Sequence, residues 1–555
     1  MSRRTDPRTR QRPEQSTNAG KPAAPGRDHQ RVGARAFARR AKVAERRRAA
    51  RQRRQPPSSE LGRLALRLPT FPSFATLRRI PRAAWVCAAV ACLNALCWSI
   101  VSPPFQIPDE PDHYAYVMQL AETGSLPVSR FGGLSNQENL ALAGLHQPEV
   151  RRQPRHTIGS LAEERELEQD LGVSKGRGER GSPAAGVAAS QPPLYYALES
   201  VPYVLAGGTV LNRLAWMRVA SAFTAGLVAL FVFLFIREVL PRDSWTWTAG
   251  GLAVAVSPLL GFMCGAVSPD GLLYAVSAAT FWSLARGFRR GLDARTAIVI
   301  GLLLAVGLMT KLNFIGLVPG VIAGLILLGI RATGSGAGHR ALLCVALALG
   351  IGFSPAAIYA TANLLSGHST FGLVSEAARE VSVHPPTNQL NYILQLYLPR
   401  IPGAPNYFPG LSPIRQIWFN GFVGLYGWLD TTFPQWVYRA ALFPALLLLA
   451  LFGRALLRTR AALWARSGEL VVYGTMTVGL LTLIGGASFY HFPSLQSEVE
   501  TRYLLPLIPL LGAALALTVR SLGRRWGPVA GVLTVMLFLA HDVFSQLLVV
   551  SRYYG

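Results

Sequence analysis

The sequence predicts an all-α protein, a polytopic bundle of about eleven membrane-spanning helices with a long polar loop after the first. Three observations carry this prediction. Half of the 555 residues are apolar and only 15% are charged, a low charge fraction for a soluble chain. The apolar residues come in runs near the roughly 20 residues that cross a hydrocarbon core. Basic residues gather in alternate loops between those runs.

Residues 1–80 come before the first run. The net charge is +26, and residues 1–60 supply half of it, with 18 Lys and Arg against 5 Asp and Glu. Rich in Arg, Pro, Gln, Ser and Ala, this segment has too few apolar groups for a core and reads as a disordered, basic cytoplasmic tail. Residues 34–54 have the pattern of a basic helix lying on anionic lipid. That stretch has one aromatic residue, Phe37, and no nucleic-acid-binding motif. A topology-setting or lipid-touching tail is therefore favoured over a nucleic-acid partner. The first apolar run begins too late for a cleavable signal peptide, so the chain is expected to insert through its first span. Residues 81–555 form the membrane domain. All five cysteines lie in apolar runs, where small core residues are expected rather than disulfides or zinc ligands.

The runs lie near 83–101, 216–236, 246–267, 270–286, 295–310, 313–330, 341–362, 437–456, 468–489, 503–519 and 526–548. Some are short, so the count ranges from ten to thirteen around eleven. Residues 194–207 are a marginal run, read as interfacial or re-entrant. With that run not spanning and the N-terminus inside, the inside loops carry Arg237 and Arg242, then Arg286 to Arg295, Arg331 and Arg340, Arg454 to Arg466, and Arg520 to Arg525. If 194–207 crossed, every later loop would invert and the asymmetry would vanish. The chain is thus expected in the inner or plasma membrane, N-terminus cytoplasmic and C-terminus extracytoplasmic. Its first external loop covers 102–192 and a second large one 363–436. The stretch 102–190 is net acidic, with 12 acidic and 8 basic residues.

Candidate chemistry lies at the outer edges of the spans. Directly after the first run stands PPFQIPDEPDHY, residues 103–114. Asp109, Glu110, Asp112 and His113 sit together at the membrane surface, and the prolines stop the helix from continuing. A new amphipathic helix is predicted from Asp112 to Gly124. Such a cluster suits a general base or a divalent-cation site, and equally well an acidic helix start. Gln191, Tyr195 and Tyr196 mark the return of the chain to the membrane, an aromatic-belt pattern. Asp270, in the turn Ser268-Pro269-Asp270-Gly271, either faces a wet cavity or caps the next helix. Lys311 is a lone cation between two apolar runs. Arg502, followed by Tyr503, starts a helix, where a cation opposes the helix dipole. It either snorkels to lipid phosphate or binds a substrate phosphate. Acids after the first span and single cations at two later ones fit a site for a lipid phospho-sugar.

As a set, PPFQIPDEPDHYAYVMQLAETG, QPPLYYAL, SPDG, TKLN, GFVGLYGWLDTTFP and TRYLLPLIPLL resemble the domain-of-unknown-function family 2142, over about residues 80–550. That family is similar to the GT-C glycosyltransferases. The resemblance implies a GT-C-like bundle whose first external loop carries the catalytic acid, Asp109 or Glu110. It implies a polyprenyl-phosphate-linked sugar as donor, with Gln191, Tyr195 and Tyr196 lining the site and Lys311 and Arg502 touching the phosphate. Acids stand at 109, 110 and 112 alike, which leaves the base ambiguous. A large soluble C-terminal domain for the acceptor is not expected here, since residues 500–555 read as apolar spans.

The function expected is a membrane glycosyltransferase moving a sugar from that donor to an envelope glycan or lipid acceptor. No cofactor is required by this reading, although a divalent cation at the acidic cluster fits it. The rivals are a transporter or flippase for a lipid-linked envelope component and a non-catalytic scaffold. A transporter would favour inverted repeats and mid-membrane charge. No clear repeat is seen, and the charges sit at loop edges.

Overall fold

A computed structural model describes residues 80–127, 134–151, 161–174, 185–333, 338–366, 386–491 and 500–554. The basic tail up to residue 79, including the helix expected over 34–54, lies outside the described residues, as does 367–385 of the second large loop.

The first helix, α1 (Arg82–Val101), starts after Pro81 and stops at Ser102, before the two prolines that bar its continuation. Its buried residues, Ala84, Cys87, Ala91, Ala95 and Trp98, recur every three or four positions and so form one stripe. Three shorter helices follow: α2 (Glu110–Thr123), α3 (Asn136–Gly144) and α4 (Leu161–Ser174). The start of α2 lies two residues before the predicted Asp112, because Asp109 takes the N-cap in a left-handed conformation, φ 63°. Next comes α5 (Leu194–Ala206), of 13 residues. At 1.5 Å per residue it extends about 20 Å, too short to cross, so the marginal run does not span. It packs against α2.

The remaining helices run α6 (Val210–Val239), α7 (Ser244–Ala255), α8 (Pro258–Cys264), α9 (Pro269–Arg290), α10 (Ala294–Thr310), α11 (Val318–Thr333), α12 (Gly338–Leu365), α13 (Pro386–Tyr397), α14 (Gln435–Trp464), α15 (Ser467–His491), α16 (Ile508–Ser521) and α17 (Gly523–Tyr554). Among the described residues, eight helical segments are each long and apolar enough to cross a membrane. The pair α7 and α8 makes a ninth, bent by 58° where Ser257 and Pro258 break the run predicted over 246–267. Helices α9 and α10 stand outside that count, α10 being apolar but only 17 residues long and α9 less apolar, so the described residues give eight or nine candidate spans where about eleven were expected. Most of α9 is buried, with its hydroxyls returned to its own backbone, as in Ser277 to the Leu273 carbonyl at 2.7 Å and Thr280 to that of Val276 at 2.8 Å. A helix sheathed by others need not be as apolar as one facing lipid. By contrast, α14 buries only Tyr438 and Ala455 and presents Phe443, Leu446 and Leu449 outward, as a lipid-facing helix does.

Close helix contacts pass through glycine. A Cβ on Gly250 of α7 would stand 2.6 Å from the Gly512 carbonyl oxygen of α16, and one on Gly301 of α10 would stand 2.7 Å from that of Ala348 in α12. Such small-residue contacts let helix backbones approach where burial of apolar surface gives little gain.

The charges separate to two ends. At one end, Glu238 accepts from Arg289 at 3.1 Å and Arg290 at 2.9 Å, Arg466 donates to the Val239 carbonyl at 2.6 Å, and Arg520 pairs with Asp243 at 2.6 Å. The other end holds Asp109, Asp270, Lys311 and Arg502. There the GFVGLYGWLDTTFP stretch forms a two-stranded hairpin, β1 (Leu425–Tyr426) with β2 (Thr431–Thr432), pairing Leu425 with Thr432 and Tyr426 with Thr431. Its reversal needs a positive φ, met by Gly427 at 59°. A side chain there would collide with Asp430 and the Tyr553 hydroxyl.

Candidate active site

The loop from Ser102 to Asp109 is fixed by one buried cation. The guanidinium of Arg218 in α6 donates to the carbonyls of Ser99 at 2.9 Å, Ser102 at 2.8 Å and Pro103 at 3.0 Å. It closes a two-point pair with Glu110, Nε to Oε1 at 2.8 Å and Nη2 to Oε2 at 2.6 Å. Glu110 also accepts from the backbone N–H groups of Phe105 at 3.0 Å and Val267 at 3.1 Å, and it is fully buried. Its carboxylate therefore ties the loop after α1 to the loop before α9.

Asp109 faces the other way. With φ at 63° the chain turns sharply before Glu110, and its side chain is 27% exposed, to a cavity of about 540 Å³. Oδ2 accepts from Nη2 of Arg502 at 2.7 Å. Oδ1 has no hydrogen-bond partner among the described residues. Arg502 is itself buried and held by Glu500, Nε to Oε2 at 2.9 Å and Nη2 to Oε1 at 2.9 Å. Across the cavity Lys311 Nζ donates to Asp270 Oδ1 at 2.8 Å, and Asp270 Oδ2 accepts from the Ser268 hydroxyl at 3.2 Å. Ser268 caps α9, so Asp270 lies at the helix start and pairs with the cation of a later loop. Of the two expectations for Asp270, the cap itself is Ser268, and Asp270 lies buried behind the cavity lining on Lys311.

Each remaining candidate has its position. Asp112 lines the cavity and accepts from the Val187 N–H at 3.1 Å. His113 lines it too, with Nδ1 at 3.0 Å from the Tyr196 hydroxyl. Gln191 accepts from the Leu312 N–H at 3.3 Å, which joins the QPPLYY and TKLN segments. Tyr196 stacks on Tyr116 at 3.7 Å, behind the cavity wall. Tyr195 points into the bundle toward Ser221 at 2.9 Å and does not line the cavity. Lys311, Arg502 and Tyr503 all line it. Among the described residues, no three His, Cys, Asp or Glu side chains stand close enough to share a metal ion. Asp112, His113 and Asp270 are separately engaged, so the acidic cluster does not form a ready set of ligands for a divalent cation.

Sequence reasoning missed several residues. Glu500 lines the cavity two positions before Arg502. Trp428, on the hairpin turn, lines it with the Arg151 guanidinium 3.6 Å over its ring. Arg218 had a visible signal, a cation inside an apolar run, which calls for a buried partner. Trp428 lies in the GFVGLYGWLDTTFP stretch that carries the resemblance, but nothing in that stretch by itself brings its ring to the cavity.

Electrostatics divide the acids. Burial pushes the Asp109 carboxyl up, but Arg502, His113 and Lys311 outweigh it and hold it below its ordinary value of 3.8. Burial pushes Glu500 up to about 7, with Arg502 only partly opposing. Burial and the Lys311 charge push His113 down to about 3, so the imidazole is neutral at physiological pH.

No curated protein and no solved structure matches the chain. A family model described as "Predicted membrane protein (DUF2142)" matches residues 92–511, which include every residue lining the cavity. By that match across most of its length, the chain belongs to the DUF2142 family of membrane proteins.

Proposed function

We propose that the protein is a membrane glycosyltransferase that moves a sugar from a polyprenyl-phosphate donor to a cell-envelope glycan or lipid acceptor. The observation that carries this reading is the meeting of Asp109, Lys311 and Arg502 in one cavity at one end of a bundle of apolar helices. Asp109 lies just past the end of α1, at the depth where a lipid-borne sugar phosphate would present its scissile bond. Arginine outnumbers acid at the opposite end, so the positive-inside rule puts that end in the cytoplasm and the cavity outside.

In this reading Lys311 and Arg502 hold the phosphate, whose negative charge grows as the glycosidic C–O bond breaks. Asp109 is ionised at neutral pH and has one oxygen without a hydrogen-bond partner among the described residues, so it can accept the proton of the attacking hydroxyl. A base so placed typically contributes on the order of 100-fold or more to the rate. Glu110 cannot take that part while all four of its hydrogen bonds are spent on Arg218 and two backbone groups. The wall of Leu483, Ile484 and Ala487 gives the cavity an apolar side facing α15, suited to the first isoprene units of the donor.

The test is an assay of the purified protein with polyprenyl-phosphate sugars and envelope acceptors, reading release of polyprenyl phosphate. Release that depends on Asp109 supports the reading. Movement of the lipid between leaflets without release would favour the flippase reading instead.

A further inference from the structure

Three carboxylates, on Asp109, Asp270 and Glu500, pair with two cations, Lys311 and Arg502. The cations assigned above to a phosphate are thus already neutralised. A phosphate entering this site meets net negative charge unless one carboxylate gives way. Asp270 is tied to Lys311 and Ser268 beneath the cavity wall. Asp109 has to stay ionised to act as base. Glu500 is the third, and both its oxygens are on the guanidinium that the phosphate needs.

We propose that Glu500 is a positioning residue of the reaction: it holds the Arg502 guanidinium toward Asp109 and competes with the incoming phosphate for it, so that its charge sets the affinity of the site for an anion. This rests on the reading of Lys311 and Arg502 as a phosphate site. Arg502 touches both Asp109 and Glu500, and Nη2 serves both at once. Nη1 is buried without a hydrogen-bond partner among the described residues, and Nε, although 2.9 Å from Glu500 Oε2, makes no well-aligned hydrogen bond there, so the guanidinium has donors left over. When Glu500 takes up a proton, Arg502 loses one anionic competitor and keeps its place beside Asp109. The value of about 7 puts that event within reach of neutral pH. Arg502, Asp109, Asp270 and Lys311 are the charged groups acting on Glu500 there.

The experiment titrates full-length protein in lipid nanodiscs with farnesyl phosphate at pH 8, by calorimetry, with farnesol and inorganic phosphate in parallel. Glu500→Gln should bind farnesyl phosphate roughly tenfold more tightly than wild type, since it removes a like charge within a few ångströms of the ligand. Glu500→Asp keeps the charge and should bind no more tightly than wild type. A gain in affinity is not what a damaged fold produces. Glu500→Gln binding no better than wild type, at unchanged thermal stability, overturns the role of Glu500 alone. Equal binding by wild type and Arg502→Ala overturns the phosphate site beneath it. Inorganic phosphate binding as tightly as farnesyl phosphate overturns the lipid donor. Should Glu500→Gln not fold, Glu500→Ala takes its place at pH 8, with the same gain expected and the same absence of gain overturning the proposal.

Discussion

Asp109 and Glu110 are neighbours in the chain and face opposite surroundings, Asp109 the cavity and Arg502, Glu110 a sealed pair with Arg218. The left-handed backbone at Asp109 makes the division, because it turns the chain between the two carboxylates. Two acids that look interchangeable in sequence are thereby given different chemistry.

The first prediction separates them by stability. Glu110→Ala and Arg218→Ala each leave one charge buried without its partner, and removing one member of a buried pair costs about 3–5 kcal/mol. Thermal unfolding in detergent should shift sharply downward for both. Asp109→Asn, on a partly exposed side chain, should unfold close to wild type. Wild-type stability in Glu110→Ala would contradict the role given to the pair.

The second separates turnover from binding. Asp109→Asn should lower turnover on the order of 100-fold or more without weakening donor affinity. Arg502→Ala should weaken both. Arg502→Lys should recover only part of the loss, because an ammonium cannot reproduce the three contacts of the guanidinium. Envelope glycan composition in cells, with donor release in vitro, reads these effects. Unchanged glycan in Asp109→Asn would remove the catalytic reading and bring the transporter or scaffold forward.

The third concerns pH. Burial, helped by Asp112 and Glu122 and opposed by the Ser135 hydrogen bonds, raises the Glu138 carboxyl from 4.5 to about 7. Between those values the folded chain holds a proton that the unfolded chain releases. Stability from this group is therefore fully present below pH 4.5, falls as pH rises to about 7, and stays constant above. The loss is on the order of 1–3 kcal/mol. Glu138→Gln should lose less stability than wild type between pH 5 and pH 8. Equal losses in the two proteins would count against it.

The fourth concerns orientation. Single cysteines placed at 102–190 and in 386–436 should be labelled from outside intact cells, and those at 286–295 should not. The reverse pattern would invert the bundle and put the cavity in the cytoplasm.

The sequence by itself determined the membrane bundle, its approximate spans and the end at which polar chemistry gathers. It did so because the cost of exposing polar groups to hydrocarbon is local, and is read from each run and its flanking charges. It read 194–207 as a marginal run at the interface, and it marked Asp109, Lys311 and Arg502 as candidates while leaving a helix start or lipid contact open for them. Only the tertiary structure decided which charge meets which. Arg218 reaches Glu110 from 108 residues away and Arg502 reaches Asp109 from 393 away. Neither distance leaves a trace in local periodicity. Whether a carboxylate is a sealed strut or an open base depends on which partners the packed helices bring to it, and on one residue's φ, and both are settled only when the bundle closes.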